Sequence, residues 1–146
     1  MKILEQWQWI GMLLARLSAG LLFTLSGAGK LFVRARREEM QQTLVRARIP
    51  APEANAFAVS FVEFVFGASL TIGFLTPLCC FMLTAVMLGA LSTTILPGIK
   101  ANSAVSWLGE FLYLPEVLYV VILVWLFLSG SGRLSLDHLI WSSAGR

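Results

Sequence analysis

Histidine occurs once in this chain, at His138, and cysteine only at the adjacent positions Cys79 and Cys80. A single histidine cannot supply both axial ligands of a bis-histidine haem within one subunit. Neighbouring helical residues point about 100° apart, so the two cysteines form neither a metal pair nor a CxxC redox centre. They read instead as small packing residues. No glycine-rich phosphate loop, zinc motif or nucleophile triad is present, so no metal site is expected. Charge is scarce as well: Asp, Glu, Lys and Arg make up 13% of the chain, against roughly a quarter in water-soluble domains. The chain offers no basic, aromatic-bearing soluble surface, which argues against nucleic-acid binding.

What the chain has in abundance is apolar sequence. Hydrophobic residues account for 58% of its 146 positions, and the mean hydropathy is +0.80. Four runs, at about 10–32, 56–75, 78–96 and 111–128, hold most of the apolar residues. About 20 helical residues cover the ~30 Å hydrocarbon layer, so each run is expected to cross a bilayer once. The prediction is an all-α, four-helix membrane domain occupying the whole of 1–146, with no room for a separate soluble catalytic module. The first run is too long for the apolar core of a signal peptide, and Glu5 and Arg16 interrupt the pattern, so it is expected to be retained.

Between the first two runs, 34–49 mixes basic, acidic and apolar positions, with Met40, Leu44, Val45 and Ile49 at helical intervals. This pattern predicts a short amphipathic helix lying on the membrane surface. Its arginines suit anionic headgroups. Pro50 and Pro52 stop it, and Asn55 is placed to cap the second span. Thr76 and Pro77 leave almost no loop between spans two and three, so these form an antiparallel hairpin. Ser135 is the expected N-cap of a short interfacial tail helix over 136–141. An even number of spans puts both termini on one side. Arg34, Arg36, Arg37, Arg46, Arg48 and Lys100 lie in the two longer loops, against Lys2, Arg133 and Arg146 opposite. The positive-inside rule then directs the loops to the cytoplasm of a multi-pass inner-membrane protein.

Ionisable residues inside a bilayer are costly and usually face protein or water. Four fall within the runs: Arg16, Lys30, Glu63 and Glu116. Lys30 ends the first span, Glu63 lies about two turns into the second, and Glu116 about one turn into the fourth, all counted from the side of the long loops. The three are therefore expected to meet as a partly desolvated cluster, with Gly27 and Gly67 giving the side chains room. Simpler readings stand beside this one. Lys30 can snorkel to the headgroups, and Glu116, after Pro115, suits the first turn of a helix. Glu63 sits in FVEFVFG with no polar neighbour, so it must either pair or take up a proton. Arg16 lies roughly 21 Å along the helix from Lys30 and cannot join them. Asp137 is its expected partner, with Arg133 competing at the i,i+4 spacing.

Three stretches, LLFTLSGAGKLF, FVEFVFGASLTIGFLTP and SGSGRLSLD, occur in the order and spacing of the DoxX-like family of small four-helix membrane proteins, which the chain resembles over nearly its whole length. The resemblance implies a four-span bundle. It carries over Gly27 and Lys30 from the first motif, Glu63 and Gly67 from the second, and Arg133 and Asp137 from the third. It also implies a role as a membrane subunit of a redox system, including thiosulfate oxidation feeding quinone, or as an anchor for an oxidative-stress enzyme. With no intrinsic cofactor ligands, the chain is expected to lack catalytic activity on its own and to work through a bound quinone or lipid and a membrane or soluble redox-enzyme partner. A small-solute or proton transporter and a non-catalytic scaffold are the alternatives.

Overall fold

The chain's structure, a computed structural model, describes residues 2–99, 103–132 and 135–137, and every element among them is helical. The first helix, α1, runs Lys2–Phe32, about 46 Å at helical rise. Val33 breaks it by adopting extended backbone, and α2 follows at Arg34–Arg46. Arg37 of α2 reaches back to donate to the carbonyls of Lys30 and Leu31, supplying partners and a positive charge where the end of α1 leaves carbonyls unbonded. The amphipathic helix expected over 34–49 thus exists but ends at Arg46, and its apolar stripe is narrower than the pattern implied. Leu44 is buried and Met40 half-buried, while Val45 points outward. Packing against α1 and α3 holds it in place.

The second long helix, α3, spans Pro52–Ile72. Asn55 lies inside it and does not cap it; its side-chain amide instead donates to the Pro50 carbonyl at 2.6 Å. Along α3 the buried positions are Ala56, Ser60, Glu63, Gly67 and Leu70, alternating steps of four and three that trace one seam. The matching seam on α1 is Arg16, Ala19, Gly20, Phe23 and Gly27. Small residues bring the two backbones into direct contact. A Cβ on Gly67 would fall 2.6 Å from the Thr24 amide nitrogen, and one on Gly27 would strike the backbone of Phe64. Such close approach supplies the van der Waals packing that drives helix association in lipid. The hydroxyls of Thr24, Ser60 and Thr71 bond the carbonyls four residues earlier, so none is left unsatisfied in the seam.

Gly73, at φ 74°, closes α3 as a left-handed cap, a conformation glycine adopts without steric cost. Leu75 is also left-handed at φ 48°, and α4 begins at Thr76 rather than at 78, running to Ala90. The tight hairpin is present, with its turn at Gly73–Leu75. Beyond Ala90 the helix widens into a π turn over Leu91–Ile95 and tightens again at Leu96–Gly98. Pro97 explains the change, because it has no N–H to give and its ring crowds the carbonyl four residues back. Thr93 and Thr94 donate to the carbonyls of Gly89 and Ala90 through their hydroxyls.

The run at 111–128 is not one helix. Helix α5 covers Ala104–Leu112 and α6 Pro115–Ser129, with a 63° bend between them. Proline disfavours helical backbone at the preceding residue, and Leu114 is extended accordingly. Trp7–Phe32, Pro52–Ile72 and Thr76–Gly98 are each long and apolar enough to cross a membrane, and the α5–α6 pair makes a fourth if counted as one span. In packing, α1 lies chiefly on α3, and α4 on α6 and α3, while α6 meets α1 over a shorter seam. Phe23, Leu70, Leu83, Leu123 and Leu126 form the shared core, together with the fully buried Cys79 and Cys80. Many large apolar side chains point outward, Leu25, Phe57, Phe81 and Leu118 among them, as expected of a surface whose solvent is lipid.

Candidate functional site

Where α1 and α3 are pressed together by Gly27 and Gly67, each helix carries a charge close by, Lys30 one turn after Gly27 and Glu63 one turn before Gly67. The Lys30 ammonium donates to both oxygens of Glu63, at 2.9 Å and 2.7 Å. Ser26, one turn before Lys30, donates to Glu63 Oε2 at 3.0 Å. The Glu63 side chain is only 3% exposed, whereas that of Lys30 is 25% exposed. The carboxylate is therefore sealed in the seam, and the ammonium faces open space. The two glycines do not make the room for charged side chains that their place in the sequence suggests. They let the backbones touch, which brings the pair within bonding distance. Ser26 carries no charge to mark it in the sequence, although its place four residues before Lys30 puts it on the same helical face.

The open space is a partly open cavity of about 1000 Å³ lined by residues of α1, α2, α3, α4 and α6. Its walls are mostly apolar, including Leu22, Val59, Val86 and Met87, and its polar lining includes Ser26, Lys30, Glu63, Glu116 and Tyr119, with Arg36, Glu39 and Thr43 from α2 and Asn55 from α3. Tyr119 is fixed by an edge-on contact with Phe23, ring centroids 6.0 Å apart. The π turn contributes Thr93 and Thr94, and π turns inside helices are frequent at functional sites. Glu116 does not join the charged pair: it lines the same cavity from α6 and forms no ion pair or hydrogen bond with a described residue. Apolar walls with a few convergent polar groups are the usual form of a small-molecule site.

A second polar centre lies at the opposite end. Arg16, 3% exposed, donates to the Ser131 carbonyl and interacts electrostatically with Asp137. The Asp137 carboxylate also bonds backbone amides. It accepts from the backbone N–H groups of Leu75 and Thr76 at 2.7 Å and 2.9 Å, capping α4, and its own N–H donates to the Gly73 carbonyl at 3.0 Å. Gly73 makes the knot possible, since a Cβ there would lie 2.6 Å from Arg16 Nη1. Ser135 donates to the Gly132 carbonyl at 2.8 Å. Arg133 and most of the tail helix expected at 136–141 lie outside the described residues.

The DoxX family model matches residues 11–96, well over half of the chain. The chain belongs to the DoxX family. In this DoxX protein the matched region holds Gly27, Lys30, Glu63 and Gly67, together with Ser26 and Gly73, whereas Glu116 and Asp137 lie beyond it. Comparison with curated proteins and with solved structures returned no match. DoxX membership and the long apolar helices together make this a multi-pass membrane protein.

Proposed function

We propose that this DoxX protein binds a lipid-soluble ligand of the quinone class in the cavity beside Lys30 and Glu63, and serves as an accessory or anchoring subunit of a membrane redox system without catalysing a reaction alone. The observation that carries this reading is the cavity itself, about 1000 Å³ with mostly apolar walls and an ammonium at its edge. An isoprenoid tail fits the walls, and a ring oxygen fits the Lys30 N–H that Glu63 leaves free, since an ammonium has three donors. On this reading the bent α5–α6 pair counts as the fourth span, and α2 lies along the headgroups of the inner membrane. The arginines of α2 then meet anionic lipid, and α2 covers the cavity from the surface side.

A scaffold role without a ligand is the second reading. It is favoured by the pairing of Glu63 inside the protein, where the buried carboxylate already accepts two hydrogen bonds from Lys30 and one from Ser26. Native mass spectrometry of the protein in nanodiscs with a short-chain quinone separates the two. The binding reading predicts one quinone retained per chain, and its loss in Val86→Phe, which narrows the cavity while the protein stays monodisperse. Partitioning that does not saturate, or equal retention by the variant, contradicts it and leaves the scaffold.

A further inference from the structure

We infer that the cavity opens sideways to the lipid at Ala85, Gly89 and Thr93, and that the hydrocarbon chain of a bound ligand leaves the protein through this gap. The inference rests on the quinone-class reading above and adds what length of chain the site admits. The protein holds the ring and the first part of the chain, and the rest lies in the bilayer.

Exposure singles the place out. Outside α2, the described residues that line the cavity are buried or half-buried, with the exception of Ala85, Gly89 and Thr93. Their spacing of four stacks them in one row along α4 and its π turn. A Cβ built on Gly89 would meet nothing within 4 Å, so the space in front of it is open. To one side of the row, Met82 and Val86 line the cavity and are half-buried; to the other, Leu88 and Ser92 are exposed and do not line it. The row is therefore the edge at which the cavity face of α4 meets its lipid face, and its side chains are too small to screen one from the other. One turn before Ala85 the row ends at Phe81, a large outward ring.

The other ways out do not suit hydrocarbon. Toward the hairpin turn, Phe23 of the cavity wall belongs to the packed core with Leu70, Leu83, Leu123 and Leu126, and Tyr119 meets its ring edge-on. Toward α2 the lining is Arg36, Glu39 and Thr43, and a chain laid across them would strip charged and polar groups of water. Gly89 lies well inside the Thr76–Gly98 span, about 14 Å from its end at helical rise, and so within the hydrocarbon layer. A chain leaving there passes from apolar wall to apolar solvent.

The test measures binding of two quinones with the same ring, one with a short and one with a long isoprenoid tail, to the full-length protein in nanodiscs, with ligand counted per lipid. The wild type is expected to bind both with affinities within about threefold of each other. In Gly89→Leu, alone or with Ala85→Leu, the added side chains stand in the gap, and the long-tailed form should weaken at least about tenfold relative to the short one. Leu88→Phe adds bulk beside the gap and should leave the ratio unchanged. A quinone whose long tail ends in a branched alkyl group bulkier than the cavity tests the same point without a variant, and the wild type should bind it as well as the plain long-tailed form. An unchanged ratio in Gly89→Leu and the double variant, an equal shift in Leu88→Phe, or rejection of the bulky-ended quinone would overturn the inference while leaving the quinone-class reading in place. Failure of the short-tailed form to bind the wild type saturably would overturn both.

Discussion

Replacing Lys30 by Met removes the only cation among the described residues that touches the Glu63 carboxylate, 3% exposed to solvent. Glu63 would keep the Ser26 hydroxyl at 3.0 Å and lose both bonds from the ammonium. Breaking a buried pair from one side costs about 3–5 kcal/mol, because a charge remains in a medium that cannot solvate it. The reverse substitution is milder. With Glu63→Leu, the Lys30 side chain, 25% exposed, can turn into the cavity or toward the headgroups, for a cost of about 1–2 kcal/mol. The double variant leaves no charge to strand and should lie within about 1 kcal/mol of the wild type. The coupling between the two sites is thus at least about 3 kcal/mol. Reversible unfolding in mixed micelles, followed by far-UV circular dichroism across a titration of denaturing detergent, measures all four corners of the cycle. Additive single-site effects, or a Lys30→Met cost under about 1 kcal/mol, would refute the claim that the pair is sealed in the α1–α3 seam.

Gly67→Ala places a methyl group 2.6 Å from the Thr24 amide and should cost about 1–3 kcal/mol by overpacking. Gly89→Ala, where a Cβ meets nothing within 4 Å, should be neutral or stabilising in the same titration; equal effects at both sites would contradict backbone contact at Gly67. Asp137→Ala removes the acceptor for two amides at the start of α4 and should cost about 1–2 kcal/mol. Hydrogen exchange at Leu75 and Thr76 should rise about tenfold as a result, and unchanged protection would show that the cap is made by other groups.

The long apolar helices were legible because length and hydropathy are local properties, and the bilayer thickness turns them into spans. Depth was legible too: counting turns from the ends of the runs put Lys30 and Glu63 at one level, and the structure pairs them. Azimuth was not. Glu116 lies at a similar depth by the same count, but whether it faces Lys30 depends on how α6 is rotated and on the bend at Leu114, and neither is written in the run at 111–128. The glycines show a related difficulty. Gly27 and Gly67 stood out as small residues near charges, yet a vacancy and a backbone contact leave the same trace in a sequence. Charge is visible in sequence, and Arg16 does interact electrostatically with Asp137. The other partners of Asp137 are backbone N–H groups of Leu75 and Thr76, exposed only because the chain turns through left-handed residues at Gly73 and Leu75. Asn55 failed as a cap for a comparable reason: Pro52 starts α3 three residues earlier.

Photoaffinity labelling tests the central claim, that the cavity beside Lys30 and Glu63 holds a quinone-class ligand, most directly. A short-chain quinone carrying a photoreactive tail is irradiated with the protein in nanodiscs, and the modified peptides are mapped by mass spectrometry. The account predicts labels on cavity-lining positions such as Val59, Val86 and Met87, suppressed by excess unlabelled ligand. Labels confined to outward-facing residues such as Phe57, Phe81 and Leu118, and unaffected by competitor, would contradict it.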